Sequence, residues 1–491
     1  MCERVRPGPP RAASAAVAAL HRGRPGRALR LVAWVAGAAL ASGCTVGPDY
    51  RKPTLDVPGQ FRQAEGWKPA QPADHVVRGA WWNDFGDPVL AELLARVGDA
   101  NPNVRIAQAQ FAQARAVTQQ ARATLFPTLG TSVSATRSRA PSLANRPILV
   151  GGPINNYDAQ ADVAWEPDLW GRVRRNVEAG RASESAAEAD LASVRLAAEA
   201  ELAQNYVLLR VADEEKRLLD EAATAWARNL VLVENRYAAG LVAKSDVVQA
   251  RTQRDTTRAQ SIDLAVQRAQ LEHGIALLLG EAPARFALAP AVFVTQAPVV
   301  PPGVPSALLE RRPDIAAAER RVAAANAQIG VAMAAFYPDL TLTGAIGYRN
   351  TAYSRWLDAP SRFWSVGPSL ALTLFDGGAR RAVKAQAEAA HAAETERYKL
   401  AVLTGFREVE DSLVALRLLG EEADVQAQAV ADARESLKLT RNRYAAGVAS
   451  ALDVIATQNI ALDNERTAAS LRGRQVTAAI QLVKATGGGW R

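Results

Sequence analysis

The sequence predicts a mainly helical chain that carries a minority of membrane-crossing β-strands and is built as an internal two-fold repeat. Three observations predict it. The hexapeptide NRYAAG at Asn235 to Gly240 returns at Asn442 to Gly447, 207 residues further on. Long proline-free runs rich in Ala, Leu, Arg and Glu lead into both copies. Four short stretches between the helical runs alternate apolar and polar residues with the period of a strand.

Composition agrees with long, closely packed helices. Apolar residues make up 49% of the 491, but aromatics only 6%, so most apolar side chains are small or aliphatic. The net charge of +8 is concentrated at the N-terminus, where residues 1–43 hold seven Arg and one Glu. That leaves about +2 for the rest, which gives no support to nucleic-acid binding.

Residues 1–43 have the layout of a secretory signal peptide. Arg22, Arg24, Arg27 and Arg30 form a basic flank, and Leu31 to Ala41 is an apolar run too short to span a bilayer as a helix. Ala41-Ser42-Gly43 then leads directly to Cys44. Small residues ending at a cysteine resemble a bacterial lipobox, in which that Cys is acylated and becomes the mature N-terminus. Ala41 departs from the usual Leu, and an ordinary signal peptide with an incidental Cys44 is the alternative. Cleavage would remove Cys2, leaving Cys44 alone and no disulfide possible.

Residues 44–100 read as an extended arm and a short helix around Pro88 to Val97. The first repeat, 101–280, opens with a helix from Asn101-Pro102 to Phe126, stopped by Pro127. A β-hairpin over 128–166 follows. In it Leu129, Thr131, Val133 and Ala135 share a face, as do Ala159, Ala161, Val163 and Trp165. The second repeat, 312–486, starts at Arg312-Pro313 and places its hairpin over 339–375. Each strand is about the length a tilted strand needs to cross an outer membrane. Aromatics gather at the strand ends: Phe126, Trp165, Trp170, Phe336, Tyr337 and Phe375 on the helix side, Tyr348, Tyr353, Trp356, Phe363 and Trp364 on the loop side. Two such girdles around an apolar band mark a membrane barrel.

After each hairpin comes the longest helix, Gly171 to Asn235 and Gly378 to Asn442, of 65 residues apiece. Gly240 and Gly447 then mark helix-tip turns, because glycine most readily takes the left-handed conformation that ends a helix. Returning helices follow from about Ser245 and Leu452. Residues 281–311, rich in Pro, Val and Ala, read as an inter-repeat linker, and 487–491 as a C-terminal tail. Four membrane strands cannot close a barrel, since small barrels need about eight, and open edges are not tolerated in lipid. The chain must therefore share its barrel with other copies.

Enzyme chemistry fails on inventory. The four His (His21, His75, His273, His391) show no metal-ligand spacing, and there is no phosphate-cradling loop or nucleophile elbow. Neither a cofactor nor a metal is expected. A structural or adaptor-type periplasmic coiled coil is the remaining rival, and lipid-facing strands argue against it.

Five stretches in order resemble the TolC-like outer membrane factors of the NodT/OprM efflux-lipoprotein type: Gly43 to Tyr50 (GCTVGPDY), Trp81 to Phe85 (WWNDF), Trp165 to Arg172 (WEPDLWGR), Pro305 to Ile315 (PSALLERRPDI) and Phe375 to Gly378 (FDGG). The resemblance implies a trimeric outer-membrane β-barrel, four strands per chain, continuing into a long periplasmic α-helical barrel. It implies the passive exit duct of a tripartite efflux system, partnered by a periplasmic adaptor and a resistance–nodulation–division type inner-membrane pump. Thr45 after the lipidated Cys44, where inner-membrane lipoproteins usually have Asp, favours the outer membrane.

The resemblance also implies a periplasmic gate at the helical tips. A tip Tyr and a Ser/Thr-Asp pair bond between helix hairpins in the family. The matching positions are Tyr444, Ser245 and Asp246, with Tyr237 as the repeat copy of Tyr444 and Leu452 at an apolar constriction. Asp246 and Asp453 would form acidic rings favouring cations, though Ala456 replaces one family acidic position. Helix N-terminal capping is the simpler role for both aspartates. Asp158 and Asp162 are expected to face a water-filled lumen, where polar residues are the default.

Overall fold

The computed structural model describes residues 45–54, 79–139, 153–298 and 311–488. Seven helices occur there: α1 (Pro88–Ala100), α2 (Pro102–Ala123), α3 (Arg172–Ala238), α4 (Lys244–Leu278), α5 (Pro313–Ala334), α6 (Ala379–Ala445) and α7 (Ala451–Ala485). Four strands accompany them: β1 (Thr128–Ser138), β2 (Ile154–Trp165), β3 (Asp339–Asn350) and β4 (Arg362–Ala371). Related elements match in length. The opening helices α2 and α5 have 22 residues each, α3 and α6 have 67, and α4 and α7 have 35. The short helix, both long helices and both returning helices stand where the sequence places them, to within a few residues. No described helix is long and apolar enough to cross a membrane.

The chain divides into two compact units. One holds Gln119–Ala179, Ala325–Ala389 and the described residues 45–50, and so contains all four strands. The strands form a single antiparallel sheet in the order β1-β2-β3-β4, so the two expected hairpins are joined edge to edge through β2 and β3.

The other unit is helical, and its core is a seam of aliphatic and aromatic side chains. Trp81 and Phe85 of a 3-10 turn, Leu90, Leu94 and Val97 of α1, Leu202, Tyr206 and Leu209 of α3, Ile275 of α4 and Ile480 of α7 cluster together. Asp87 fixes this corner. Its buried carboxylate caps α1 by accepting from the backbone N–H groups of Val89 and Leu90, and also accepts from the hydroxyls of Tyr206 (2.9 Å) and Thr295 (2.8 Å). Burial is the main reason the Tyr206 phenol is pushed up to about 12.

The segment between the repeats is irregular where it is described, apart from a 3-10 turn at Pro283–Arg285. It is nonetheless pinned. Buried Arg210 donates to the Ala289 carbonyl (2.9 Å) and to Asp213 (2.8 Å), and Asp213 also accepts from Arg268 at 2.6 Å. Toward its tip, Leu230, Val233, Val247 and Ala250 zip α3 to α4, while farther from the second tip Leu419, Leu471 and Ala478 zip α6 to α7.

Candidate functional site

Registration of the four strands gives the sheet two different faces. Leu129, Val163, Gly344 and Val366 are successive cross-strand neighbours on one of them, and Thr131, Ala161, Ile346 and Trp364 form the next row. These apolar side chains are uncovered: Leu129 is 80% exposed, Val366 77% and Trp364 71%. An exposed apolar sheet face of this extent has a solvent other than water. The opposite face carries Gly130, Asp162, Ala345 and Ser365 in one row, and Ser134, Asp158 and Arg349 in another.

Asp162 and Asp158 thus share the polar face, as the alternation implies. Their surroundings differ. Asp162 lies over Gly130, where a Cβ would come within 2.9 Å of its carboxylate. Asp158 is expected on the lumen side, and within the chain its carboxylate is covered. It is 7% exposed and ion-paired with Arg349, which stands directly opposite on β3 and lays its guanidinium over the Phe363 ring. The strand alternation could not show this, because Arg349 belongs to the other repeat.

Aromatic side chains brace both ends of the sheet. Trp165 donates to the Leu125 carbonyl (3.0 Å), and Trp170 donates to the Pro338 carbonyl (2.8 Å) while stacking on Tyr337. At the other end Tyr157, Tyr353 and Trp356 pack against one another. Each long helix is capped just below its strand: Asp168 accepts from Val173 and Arg174 at the head of α3, and Asp376 from Gly378 and Arg380 at the head of α6.

Cys44 lies outside the described residues, but the residues after it are docked. The Val46 N–H donates to the Trp170 carbonyl (3.0 Å), and Asn326 donates to the Pro48 carbonyl (3.0 Å). Arg175, 3% exposed, reaches the carbonyls of Val46 and Gly47 and the carboxylate of Asp49. Sequence reasoning missed Arg175, which reads as one more arginine in a basic helix start.

Both tips close by one backbone device. Gly240 (φ +74°) and Gly447 (φ +76°) sit in the left-handed region. The following N–H groups of Leu241 and Val448 donate back to Arg236 and Arg443, completing a Schellman turn at each. Asp246 and Asp453 then occupy the third position of α4 and α7. Asp246 accepts from the Ala243 N–H at 3.1 Å. Asp453 accepts from both the N–H and the hydroxyl of Ser450 at 2.8 Å, and the Ser450 hydroxyl accepts in turn from the Asp453 N–H. Those bonds, the Ser450 backbone first, hold the Asp453 carboxyl below its ordinary range. Capping, the simpler of the two roles, is therefore in place for both aspartates.

A bond from Tyr444 to Asp246 was the expectation, and within the chain the phenol has another partner. Arg236 at the end of α3 donates to the Tyr444 hydroxyl at 2.8 Å, with its guanidinium carbon 5.0 Å from the ring centre. The Asp246 carboxylate is turned to its own N-cap. Ser245, Tyr237 and Leu452 are exposed at the tips, Tyr237 by 46%. Arg236 was missed because a basic residue in a last helical turn needs no partner beyond the helix dipole. Among the described residues no acidic or histidine cluster could hold a metal ion.

A model of the outer membrane efflux protein family matches residues 93–281 and again 304–488. The chain belongs to that family. The probable efflux pump outer membrane protein SepC of Pseudomonas putida is 31% identical over 458 residues, covering 91% of this chain and 95% of that protein. The outer membrane protein OprJ of Pseudomonas aeruginosa is likewise 31% identical, over 91% of this chain and 93% of its own. Among solved structures, the outer-membrane channel OprN superimposes with a TM-score of 0.83 at 29% identity, covering 91% of this chain and all of that one. VceC of Vibrio cholerae gives 0.76 at 27% identity over 86% of this chain. This efflux protein is accordingly an outer-membrane channel component, of a family that transports rather than catalyses.

Proposed function

We propose that this efflux protein is the passive exit duct of a tripartite exporter. It receives small molecules from an inner-membrane pump of the resistance–nodulation–division type, through a periplasmic adaptor, and releases them outside. The observation that carries it is the four-stranded sheet: one face mostly apolar and exposed, the other mostly polar, in a chain whose remaining mass is paired long helices. The sheet supports a homotrimer, three chains lending four strands each to one barrel, with outer-membrane lipid against the apolar face. Asp158, Asp162 and Arg349 then line the lumen. The two domains 101–280 and 312–486 are copies of one hairpin-bearing unit. Cys44 is the acylated mature N-terminus, and the docked Thr45–Asp49 segment sets the anchor beside the strand ends.

The tips are the periplasmic gate in this proposal. Tyr444 closes it together with Arg236, while Asp246 and Asp453 cap the returning helices and present acidic rings to the axis. Ser245, Leu452 and Tyr237 line the mouth. Purified protein added to planar bilayers should conduct ions in discrete steps, and Tyr444→Phe combined with Asp246→Ala should raise the step size. Trimers that insert without conducting in either form would overturn the duct.

A further inference from the structure

We infer that Arg443 and Tyr237 form the contact between neighbouring chains at the tips, repeating across the subunit boundary the Arg236–Tyr444 bond seen within one chain. The inference rests on the proposed trimer. The two tips carry the same residues 207 positions apart, so Arg443 is the copy of Arg236 and Tyr237 the copy of Tyr444. Within the chain, the arginine of the first tip donates to the tyrosine of the second at 2.8 Å. A ring of like hairpins closes only by head-to-tail contacts. The second tip of one chain must therefore meet the first tip of the next, in the same sense that the first meets the second inside the chain. That places Arg443 of one copy against Tyr237 of another.

The isolated chain leaves both groups available for it. Tyr237 is 46% exposed and Arg443 is exposed, its charge close enough to Asp453 to help lower that carboxyl. A second contact behaves differently. Inside the chain, Gln253 of α4 donates to Asn459 of α7 at 2.9 Å. Shifted by one repeat, these positions become Ile460 and Thr252, which cannot make that amide pair. The boundary between copies therefore does not repeat that second polar pair. A charge-assisted bond of this kind is also one that can open without unfolding a helix.

The test is cross-linking in the full-length, detergent-purified protein with a short bismaleimide. Tyr237→Cys with Arg443→Cys should give two- and three-chain bands on a denaturing gel. Arg236→Cys with Tyr444→Cys should lose both thiols yet run as one chain. Each single-cysteine variant reports whatever Cys44 contributes. If the first pair stays monomeric on the gel while light scattering of the same sample gives three chains, the inference is overturned and the trimer stands. A one-chain mass in solution overturns both. Conductance supplies an independent reading. Arg443→Ala and Arg236→Ala should each enlarge the single-channel step, and an unchanged step with Arg443→Ala alone would count against the contact.

Discussion

At residue scale the two tips are near copies that differ where it counts for helix starts. Ser450 completes a reciprocal capping box with Asp453, whereas Ala243 stands in the same place before Asp246 and offers only its backbone N–H. Losing a serine N-cap costs about 1 kcal/mol, which is roughly a fivefold rise in local opening. Ser450→Ala should therefore speed hydrogen exchange in the first turn of α7, and Ala243→Ser should slow it in α4. The pH dependence has a definite sign. Asp453 is depressed in the fold, so its stabilisation is present above the ordinary carboxyl value of about 3.9 and is lost as pH falls through the lower folded value. Ser450→Ala should move the acid loss of protection to higher pH, since one of the bonds holding the carboxyl down is gone. Exchange rates that are indifferent to both substitutions would show that the tips are held from elsewhere. The capping aspartates and turn glycines of the tips were legible because those two local roles follow from spacing alone. Arg236, Arg175 and Asp87 were not, since their partners lie 208, about 126–129 and 119–208 residues away.

At the scale of elements, strand alternation revealed the essential feature, namely which residues share a face. Period two puts Leu129 and Val163 each on the apolar face of its strand, and the registered sheet brings them into one row with Val366. The ends were less legible. β2 begins at Ile154, four residues before the alternation becomes clean, because Asn155 and Asn156 read as turn residues. β4 stops at Ala371, where the apolar pattern runs on to Leu374, because pattern records burial against lipid or protein but not the hydrogen-bonded ladder. The two faces make opposite demands on a charge. Val366→Arg should cost about 2–4 kcal/mol of membrane insertion if the position lies near the bilayer midplane. Ser365→Arg, one residue away on the polar face, should insert normally. Heat-resistant oligomer recovered from the outer-membrane fraction measures both. Equal recovery of the two would mean that the apolar face does not meet lipid.

The whole molecule is decided by what the ends of its sheet leave unpaired. β1 and β4 are edge strands, and a bilayer offers no water to satisfy their outward N–H and C=O groups. In the proposed oligomer, closure joins β4 of one copy to β1 of the next. Two copies would supply 4 + 4 strands, but a barrel of about eight has an interior that side chains fill, as the Asp158–Arg349 pair already begins to do here. Three copies give 4 + 4 + 4, wide enough for a lumen that keeps those polar groups in water. The same count serves the helices, since three chains bring six tips to one ring and let each hairpin meet a like neighbour on both sides. Light scattering on detergent-extracted protein, corrected for bound detergent, should then return the mass of three chains, each 52.3 kDa for the full sequence and smaller where the proposed signal peptide is removed. A two-chain mass with intact bilayer conductance would break the link between strand number and lumen. A one-chain mass in a membrane-inserted sample would require the edges to be covered by something other than another copy of this sheet.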